Sequence, residues 1–369
     1  MRHEHLIAEA KRLAPGMAHE GEPPRHSDVL AAVAKAHGAP GWSELVASLR
    51  PTLRERLGGL FTLGGGRQPG SPVALDALLY PKSTENLLLG TCEATGQPHV
   101  QSLKNQCCHM LVAASAGSGG STFVRDLMAQ HIVRGGGLLF VEGELMDSHF
   151  DDLARVGKAV GRARDFLDAS PTSAPDLVAA MLERRVIRYR DQPALGREQL
   201  MQYLRDGFWA RMNQGREPGA RIPFMVVVDA NALGSAASLG QSFLAQARAC
   251  GVSFVVTTQY GSPALEPSAE EVHANTWTKV FFKALDQKAS AAAAQLVIRA
   301  SAGEAQETGA VVLNEDVLNE KFVTGALLAL DIGEYLLVAP DMRRRTGADG
   351  SSLVRKVRAR YPSYFQELR

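Results

Sequence analysis

A short apolar run that leads through a glycine-rich loop into an amphipathic helix is the feature that most constrains this chain. The run is His109–Ala113, and the loop is ASAGSGGST at 114–122. The helix that follows carries Phe123, Leu127 and Ile132 at helical spacing. A continuous apolar run of this length is typical of a strand buried in a parallel sheet, and the N–H groups of such a loop form an anion site. The segment therefore predicts a phosphate-binding loop.

The loop agrees only in part with the nucleotide-binding pattern G-x-x-x-x-G-K-[ST]. The second glycine and the hydroxyl residue are present as Gly119 and Ser121, but Ala114 replaces the first glycine and Gly120 replaces the lysine. Ser121 still offers a magnesium ligand, whereas the charge that holds the β and γ phosphates is missing. The predicted nucleotide-binding residues are Gly117, Gly119, Gly120, Ser121 and Thr122. The alternative is a glycine-rich turn with a purely structural use.

Three further apolar runs predict more strands of the same sheet. They lie in GGGLLFVEG at 135–143, in Phe224–Val228 and in Val252–Thr257, with helical segments between them. Apolar strands that alternate with helices predict an α/β fold with a parallel-rich sheet covered on both faces. Leu87–Cys92 and His99–Leu103 precede the glycine loop and read as a hairpin.

Two polar residues end strands of this predicted sheet. Asp229 follows an apolar run at the place where a nucleotide site holds its acidic magnesium partner. Gln259 ends the next run, where a γ-phosphate sensor would lie. The order of these elements is that of a P-loop ATPase.

Four segments together resemble the conjugative coupling proteins of the VirD4, TraG and TraD type, in the HerA and FtsK branch of P-loop ATPases. They are HMLVAASAGSGGSTFVRDLMAQHIVRGGGLLFVEGE, FMVVVDANAL, AQARACGVSFVVTTQ and HANTWTKVFFKALD, and they cover most of residues 85–340. The resemblance implies a RecA-like domain that binds ATP and magnesium. It further implies that Asp229 and Ser121 are the magnesium ligands, that Gln259 senses phosphate, and that Arg248 acts across a subunit interface.

The chain departs from this family at three places that serve the chemistry. Gly120 stands at the position of the lysine, and Ala230 stands at the position of the glutamate that polarises the attacking water. Glu142, Gly143 and Glu144 replace an Asp-Pro-Lys-like ending of the next strand. Because the phosphate clamp and the general base are both missing, we expect weak or absent ATP binding and no hydrolysis.

These departures favour a non-hydrolysing subunit of a bacterial conjugation or type IV secretion system, with a structural or substrate-recruiting role. Its expected partners are other components of the system, including an active ATPase paralogue, and DNA binding and self-association are also open. The alternatives are an active DNA-translocating ATPase that borrows a lysine such as Lys104, and a DNA-binding adaptor. The expected location is the cytoplasm, with recruitment to the inner face of the inner membrane. The most apolar stretch, 325–340, contains two acidic residues and predicts no membrane span.

The length of 369 residues favours one large domain with appendages, or two domains. Residues 1–60 are expected to form a helical N-terminal appendage, in which 26–50 has the pattern of a helical hairpin that buries Trp42. Residues 61–72 are rich in glycine and predict a linker. Residues 73–369 then form the P-loop domain, with a short helical insertion at about 150–222. Four arginines of this insertion are interpreted as a solvated helix face, with DNA contact as the alternative: Arg184, Arg185, Arg188 and Arg190.

Charge points to a local basic patch rather than to a basic protein. The chain has 40 Lys and Arg against 39 Asp and Glu, so any nucleic-acid contact must be local. The C-terminal segment 343–369 contains six basic residues that are predicted to bind DNA or an acidic partner: Arg343, Arg344, Arg345, Arg355, Lys356 and Arg358. Its aromatic residues, Tyr361, Tyr364 and Phe365, fit a helix that docks on the domain equally well.

Two other residue types are given no chemistry. Trp209 and Trp277 lie within apolar surroundings and are interpreted as core anchors. The four cysteines lack the spacing of a zinc or redox motif. They are interpreted as buried reduced thiols of a cytosolic protein.

Overall fold

The computed structural model describes residues 35–36, 78, 86–93, 96–102, 109–142, 149–169, 177–190, 195–213, 223–230, 241–262, 265, 270–308, 320–339 and 354–368. The chain divides into two compact units, Met1–Thr62 and Leu63–Arg369, and almost all described residues belong to the second. Apart from Lys35 and Ala36, which are helical, the predicted hairpin lies outside the described residues, as does the linker. In these ranges no helix is long and apolar enough to cross a membrane.

One sheet organises the second unit. Its eleven strands in the described ranges are β1 (Asn86–Cys92), β2 (Pro98–Ser102), β3 (Met110–Ala114), β4 (Gly137–Glu142), β5 (Phe166–Ala169), β6 (Val186–Arg190), β7 (Phe224–Asp229), β8 (Val252–Gln259), β9 (Thr278–Phe282), β10 (Glu334–Val338) and β11 (Val354–Ala359). Across the sheet their order is β2-β1-β11-β10-β9-β3-β8-β7-β4-β6-β5. The seven strands from β9 to β5 run parallel, and the other four pair antiparallel.

Helices connect the parallel strands. The described α-helices are α1 (Gly120–Val133), α2 (His149–Ala159), α3 (Leu177–Leu182), α4 (Leu195–Asn213), α5 (Gln241–Ala249), α6 (Glu270–Asn275), α7 (Gln287–Thr308), α8 (Glu320–Ala329) and α9 (Tyr364–Glu367). A parallel connection needs a crossover of this kind, because two parallel strands cannot be joined by a tight turn.

Strand alternation explains why helices cover both faces. Val255 belongs to the same buried cluster as Phe123 of α1. Its neighbour Phe254 points to the opposite face, where its ring contacts Phe208 of α4 and Phe243 of α5, with centroid separations of 6.3 and 5.8 Å. The strands between the two layers are buried on both sides, which is why they read as continuous apolar runs.

The strand order is that of a RecA-like P-loop NTPase fold, as the sequence predicts. β8 lies between β3 and β7, so the strand that ends at Gln259 separates the glycine-loop strand from the strand that ends at Asp229. The strands predicted at 109–113, 135–143, 224–228 and 252–257 are all present, and the hairpin of β1 and β2 is confirmed.

The interval predicted as a helical insertion differs from that expectation. It contains α2, α3 and α4, but it also contains β5 and β6, which extend the parallel sheet beyond β4. Arg188 and Arg190 therefore lie on a strand rather than on a helix, and both pair with Asp168, at 2.6 and 2.9 Å. The apolar residues of β6 alternate with these arginines, and a five-residue strand is too short for its period to be read against the helices around it.

Candidate nucleotide site

The glycine loop joins the carboxyl end of β3 to the start of α1. Gly117 and Gly119 have φ angles of 73° and 106°, in the left-handed region that favours glycine. The buried Ser118 hydroxyl donates to the Ser115 carbonyl over 2.7 Å. The Gly119 carbonyl accepts from the Phe123 N–H at 3.0 Å, which begins the first turn of α1. The loop thus places the free N–H groups of a helix start at the edge of the sheet.

The two positions that depart from the nucleotide-binding pattern lie against each other. Gly120 is buried, and a Cβ atom placed on it would lie less than 3.0 Å from the Ala114 Cβ, a separation that real Cβ atoms do not adopt. The Ala114 methyl group therefore occupies the space that the Cβ of a lysine at position 120 would need. Only one of the two positions has room for a side chain, and in this chain that position is 114.

The turn before β10 closes one side of the loop. The Gly333 N–H donates to the Ser118 carbonyl over 2.9 Å. A Cβ placed on Gly119 would lie 3.2 Å from Gly333 backbone atoms and 3.6 Å from the Phe282 ring. A side chain at 119 would have to move backbone, so a close approach of two glycines shapes the loop here.

Asp229 and Gln259 lie at the same edge of the sheet as the loop. The carboxyl ends of parallel strands meet at one edge, and the register pairs Ala114 with Gln259 and Asp229 with Thr257. Gln259 is exposed and Asp229 is half-buried. Because β8 lies between β7 and β3, Asp229 is separated from the loop strand by two strand spacings, about 10 Å. The structure thus brings together the loop, the acidic residue and the glutamine.

Ala230 occupies the position of the missing base. It is 5 % exposed, and its N–H donates to the Thr257 carbonyl over 2.7 Å. A methyl group neither accepts a proton nor orients water. This position therefore contributes nothing to hydrolysis.

The edge fits a magnesium nucleotide only in part. Ser121 is exposed in the first turn of α1, Thr122 beside it is half-buried, and Asp229 adds a carboxylate, so oxygen ligands of the kind that magnesium prefers are present. The lysine has no room beside Ala114, and the glutamate is missing. Positions 120 and 230 therefore offer neither a cation for the γ phosphate nor a base. In the described part of the chain no separate group of three or more His, Cys, Asp or Glu is placed to hold a metal ion.

Arg248 does not join this edge within the same chain. It lies in the last turn of α5, which leads to the amino end of β8, whereas Gln259 ends that strand. Its guanidinium lies over the Trp277 ring, 5.1 Å from the ring centroid. Any action of Arg248 on a nucleotide would have to be on that of a neighbouring subunit.

The two tryptophans are not core anchors, and that interpretation is wrong. Trp277 is 44 % exposed and Trp209 is 66 % exposed. On α4 the core position is taken by Phe208, which packs against Phe243 with ring centroids 5.1 Å apart. Its neighbour Phe208 points inward, and Trp209 itself points outward.

Strand β11 places two residues of the predicted basic patch inside the fold. Lys356 is 5 % exposed, and its ammonium lies 2.9 Å from carboxylate oxygens of both Glu93 and Glu334. Arg358 also pairs with Glu334, at 2.5 Å. Although burial opposes it, hydrogen bonds from the Asp331 N–H and from Lys356 hold the pKa of Glu334 below its ordinary value. The charges of Lys356 and Arg358 are therefore balanced within the domain.

Of the other members of the predicted basic patch, one lies on β11 and three lie outside the described residues. Arg355 is half-buried, while Arg343, Arg344 and Arg345 lie outside the described residues. Tyr364 and Phe365 are buried, with the Tyr364 hydroxyl donating to Asp126 of α1. Tyr364 and Phe365 thus dock on the domain, whereas Tyr361 is exposed.

Sequence reasoning missed Lys283. This half-buried residue directly follows β9, the strand beside β3, so it lies at the same edge as the glycine loop. Among the described residues it has no hydrogen-bond or ion-pair partner. No signal in the sequence indicates this placement, because the order of strands in a sheet does not follow the order along the chain.

No protein-family model and no curated protein matches this chain. Among solved structures it is similar to the pCW3 conjugation coupling protein TcpA, determined with ATPγS, at 14 % identity over 88 % of this chain and 85 % of that one, with a TM-score of 0.46. It is similar to the bacterial conjugative coupling protein TrwB at 13 % identity, over 81 % of this chain and 95 % of that one, with a TM-score of 0.47. The type VII secretion ATPase EccC of Thermomonospora curvata gives 14 % identity, 80 % and 28 % coverage and a TM-score of 0.42. Likeness at this level does not establish a shared activity.

Proposed function

We propose that this chain is a coupling-protein-like subunit of a bacterial conjugation or type IV secretion system that binds ATP weakly or not at all and does not hydrolyse it. Its role is then structural or substrate-recruiting. The observation that carries the proposal is the close approach of positions 114 and 120, where the Ala114 methyl group excludes a lysine side chain from Gly120. The four resembling segments support the assignment to coupling proteins.

The missing groups account for the loss of activity in physical terms. A charge-assisted hydrogen bond contributes about 1.5–3 kcal/mol, so the loss of the lysine weakens nucleotide binding on the order of 10- to 100-fold. The buried methyl group of Ala230 adds the loss of the base, which affects turnover rather than binding. The backbone N–H groups of the loop then remain as a weak anion site, with Ser121 and Asp229 as oxygen ligands for magnesium.

The test is the rate of ATP hydrolysis by the purified full chain with magnesium, with and without DNA. We expect no turnover above background, and no change when Asp229→Ala is introduced. A steady rate that disappears in the Asp229→Ala variant would contradict the proposal, because it would show that this edge is a working site.

A second function, an active DNA-translocating ATPase, is favoured by the position of Lys283. The sequence-based candidate for a borrowed lysine, Lys104, lies outside the described residues, whereas Lys283 lies at the edge that carries the loop. This function requires turnover that is lost in Lys283→Ala and retained in Lys288→Ala. Lys288 is the matched control, because it is an exposed lysine on the nearby helix α7.

Assembly with an active ATPase paralogue, or with a second copy, would give the inactive subunit its role. Arg248 over the exposed ring of Trp277 forms a pair of the kind enriched at protein interfaces. We expect Arg248→Glu to weaken association with the paralogue in analytical ultracentrifugation, because it reverses the charge above the ring. A chain that stays monomeric alone and in the mixture would contradict this assembly.

In this proposal the protein lies in the cytoplasm and reaches the inner face of the inner membrane through its partner. Cells that lack every other secretion component provide the test. We expect the protein in the supernatant of fractionated cells, and its recovery in the membrane pellet would contradict recruitment by a partner.

A further inference from the structure

Three buried histidines of the domain differ in the hydrogen bonds that their rings make. The His109 ring uses both nitrogens, since Nε2 donates to the Leu244 carbonyl over 2.7 Å and Nδ1 accepts from the Phe254 N–H over 3.0 Å. The His131 ring bonds a backbone carbonyl through Nε2 at 2.9 Å. His149 is 8 % exposed, and neither nitrogen of its ring has a hydrogen-bond partner in the part of the chain that the structure describes.

An unbonded imidazole ring is unfavourable inside a protein. The neutral ring carries one donor and one acceptor, and burial removes both from water. Burial, followed by the nearby charge of Arg125, lowers the pKa of His149 from 6.5 to about 4, although Asp152 acts in the opposite direction. The ring is therefore neutral at pH 7, with one N–H to donate. Nearly all buried polar groups in native proteins are hydrogen-bonded, so this exception calls for an explanation.

The ring belongs to the first turn of a helix. His149 is the first residue of α2, which has eleven residues. The N–H groups of a first helical turn have no acceptor within the helix, and the helix dipole makes this end positive. Helix starts bind anions for these two reasons. The imidazole N–H adds a side-chain donor to those of the backbone.

Arg125 of α1 brings a guanidinium group to this turn. Its Nη1 donates to Asp152 of α2 over 2.6 Å, while its buried Nε has no partner among the described residues. The group lies over the Phe365 ring, with Cζ 4.3 Å from the ring centroid. One edge of the guanidinium thus serves Asp152, and the Nε edge remains for a further acceptor. A guanidinium edge of this kind fits a carboxylate or a phosphate with two parallel hydrogen bonds.

The charges around the turn favour an anion over a cation. Asp152 is 2 % exposed and is shared between Arg125, at 2.6 Å, and Arg155, at 2.9 Å. The other acidic residue of the turn, Asp151, is exposed to solvent. One buried carboxylate thus faces two guanidinium groups, which leaves a positive charge beside the His149 ring.

We propose that His149, Arg125 and the first turn of α2 bind a small oxyanion, either a phosphate or a carboxylate. Arg125 lies five residues after the start of α1 at Gly120, which is about 7.5 Å along the helix axis, and it faces α2. The site uses no residue of the predicted nucleotide site. A hydrolysis assay and an anion-binding assay can therefore fail separately.

The test is a nuclear magnetic resonance titration of the full chain, labelled with nitrogen-15 in histidine and glycine. Inorganic phosphate and acetate are added in separate experiments. We expect the ring nitrogens of His149 to shift and to saturate with at least one anion, and the anion that binds more tightly identifies the natural ligand as a phosphate or a carboxylate. The His109 ring is the internal control, because both of its nitrogens are already bonded.

The backbone N–H of Gly119 reports anion binding at the glycine loop in the same spectra. Saturation at Gly119 with no change at His149, for both anions, would overturn the proposal. Equal shifts of the His109 and His149 rings would also overturn it, since they would reflect a general effect of salt.

Two variants separate the guanidinium edge from charge in general. Arg125→Lys keeps the charge beside Asp152 but lacks the planar edge, so we expect about tenfold weaker binding at the His149 signals. Lys158→Ala removes one positive charge from an exposed position in the last turn of α2 and should keep the wild-type affinity. Equal losses in the two variants would contradict a built site.

A third variant removes the ring itself. His149→Leu replaces an unbonded polar group with an apolar one, so its melting temperature without anion should not fall. The rise in melting temperature that the anion produces in the wild type should become smaller, because a ligand stabilises a fold only as far as it binds. An undiminished rise in His149→Leu would overturn the proposal.

Discussion

The two edges of the parallel sheet are built in opposite ways. At the amino edge, where the strands begin, the side chains of His109, Arg211 and Lys279 bind backbone carbonyl groups, over 2.7, 3.1 and 2.5 Å. At the carboxyl edge, the loop is shaped by the glycines at 117, 119 and 333, two of which nearly touch. At the amino edge, buried polar side chains hold the backbone, whereas the loop at the carboxyl edge takes its path from glycines.

The difference separates residues that hold the fold from residues that shape the predicted nucleotide site. A buried polar side chain with satisfied hydrogen bonds fixes the backbone, and its loss leaves partners unpaired. A glycine loop contributes little to stability, so it can change its side chains without unfolding the domain. At positions 114 and 120 there is room for one side chain, and it stands on Ala114.

The largest effect expected from this comparison is a loss of unfolding free energy at acid pH, caused by buried histidines at the amino edge. Burial lowers the pKa of His109 and of His131 from 6.5 to about 4. The unfolded chain therefore takes up protons first, and stability that is complete above pH 6.5 is lost as pH falls toward 4. We expect a loss of about 3 kcal/mol per histidine in the free energy of unfolding.

Denaturant titrations at a series of pH values between 7 and the acid limit of folding measure this effect. His149 has a pKa lowered to about 4 as well and adds to the same slope. His109→Gln should show a shallower pH dependence than the wild type, since one of the three groups is removed. A free energy of unfolding that does not change below pH 6.5 would mean that these rings are not neutral and buried.

A smaller effect is expected from the side chain that ties three turns together. Arg162→Ala removes its bonds to the Ile132, Gly136 and Arg184 carbonyls and should cost about 3 kcal/mol of unfolding free energy. Arg185→Ala is the control, because this residue donates to one carbonyl group, that of Arg164, and pairs with the exposed Glu183; its loss should cost less, about 1 kcal/mol. Equal losses would contradict a special role for Arg162.

The carboxyl edge should respond to added volume rather than to lost bonds. Gly120→Lys forces the new Cβ against Ala114 and should destabilise the domain by about 1–3 kcal/mol. Ala114→Gly in the same chain should remove most of that loss, and Ser121→Lys, at an exposed position of the same turn, should have little effect. A Gly120→Lys variant as stable as the wild type would show that the loop can move to accommodate the side chain, and would contradict this prediction.

The sequence predicts the glycine loop, its strand and its helix because period and composition are local properties. It also identifies the departures at 114 and 120, but it does not show that they compensate each other, since that requires two Cβ positions in space. The register that places Gln259 beside Ala114 likewise depends on how two strands pair in space. Contacts between elements are fixed by packing, which one sequence does not display.

Three other features could not be predicted from the sequence. β6 alternates apolar residues with Arg188 and Arg190, but five residues are too few for this period to be recognised among the helices on either side. Phe208 and Trp209 are adjacent, and only packing against Phe243 decides which of them is buried. The left-handed Arg184 has no compositional signal, because glycine is the residue that marks such a position.

Nucleotide binding by the restored loop tests the central claim most directly. A fluorescent ATP analogue is titrated with magnesium into the wild type, into Gly120→Lys and into the double variant Ala114→Gly, Gly120→Lys. The account predicts weak or absent binding by the first two proteins and binding at least about tenfold tighter by the folded double variant, since a lysine then fits and adds about 1.4 kcal/mol or more. Tight binding by the wild type, or binding by Gly120→Lys equal to that of the double variant, would contradict the claim that Ala114 closes this site.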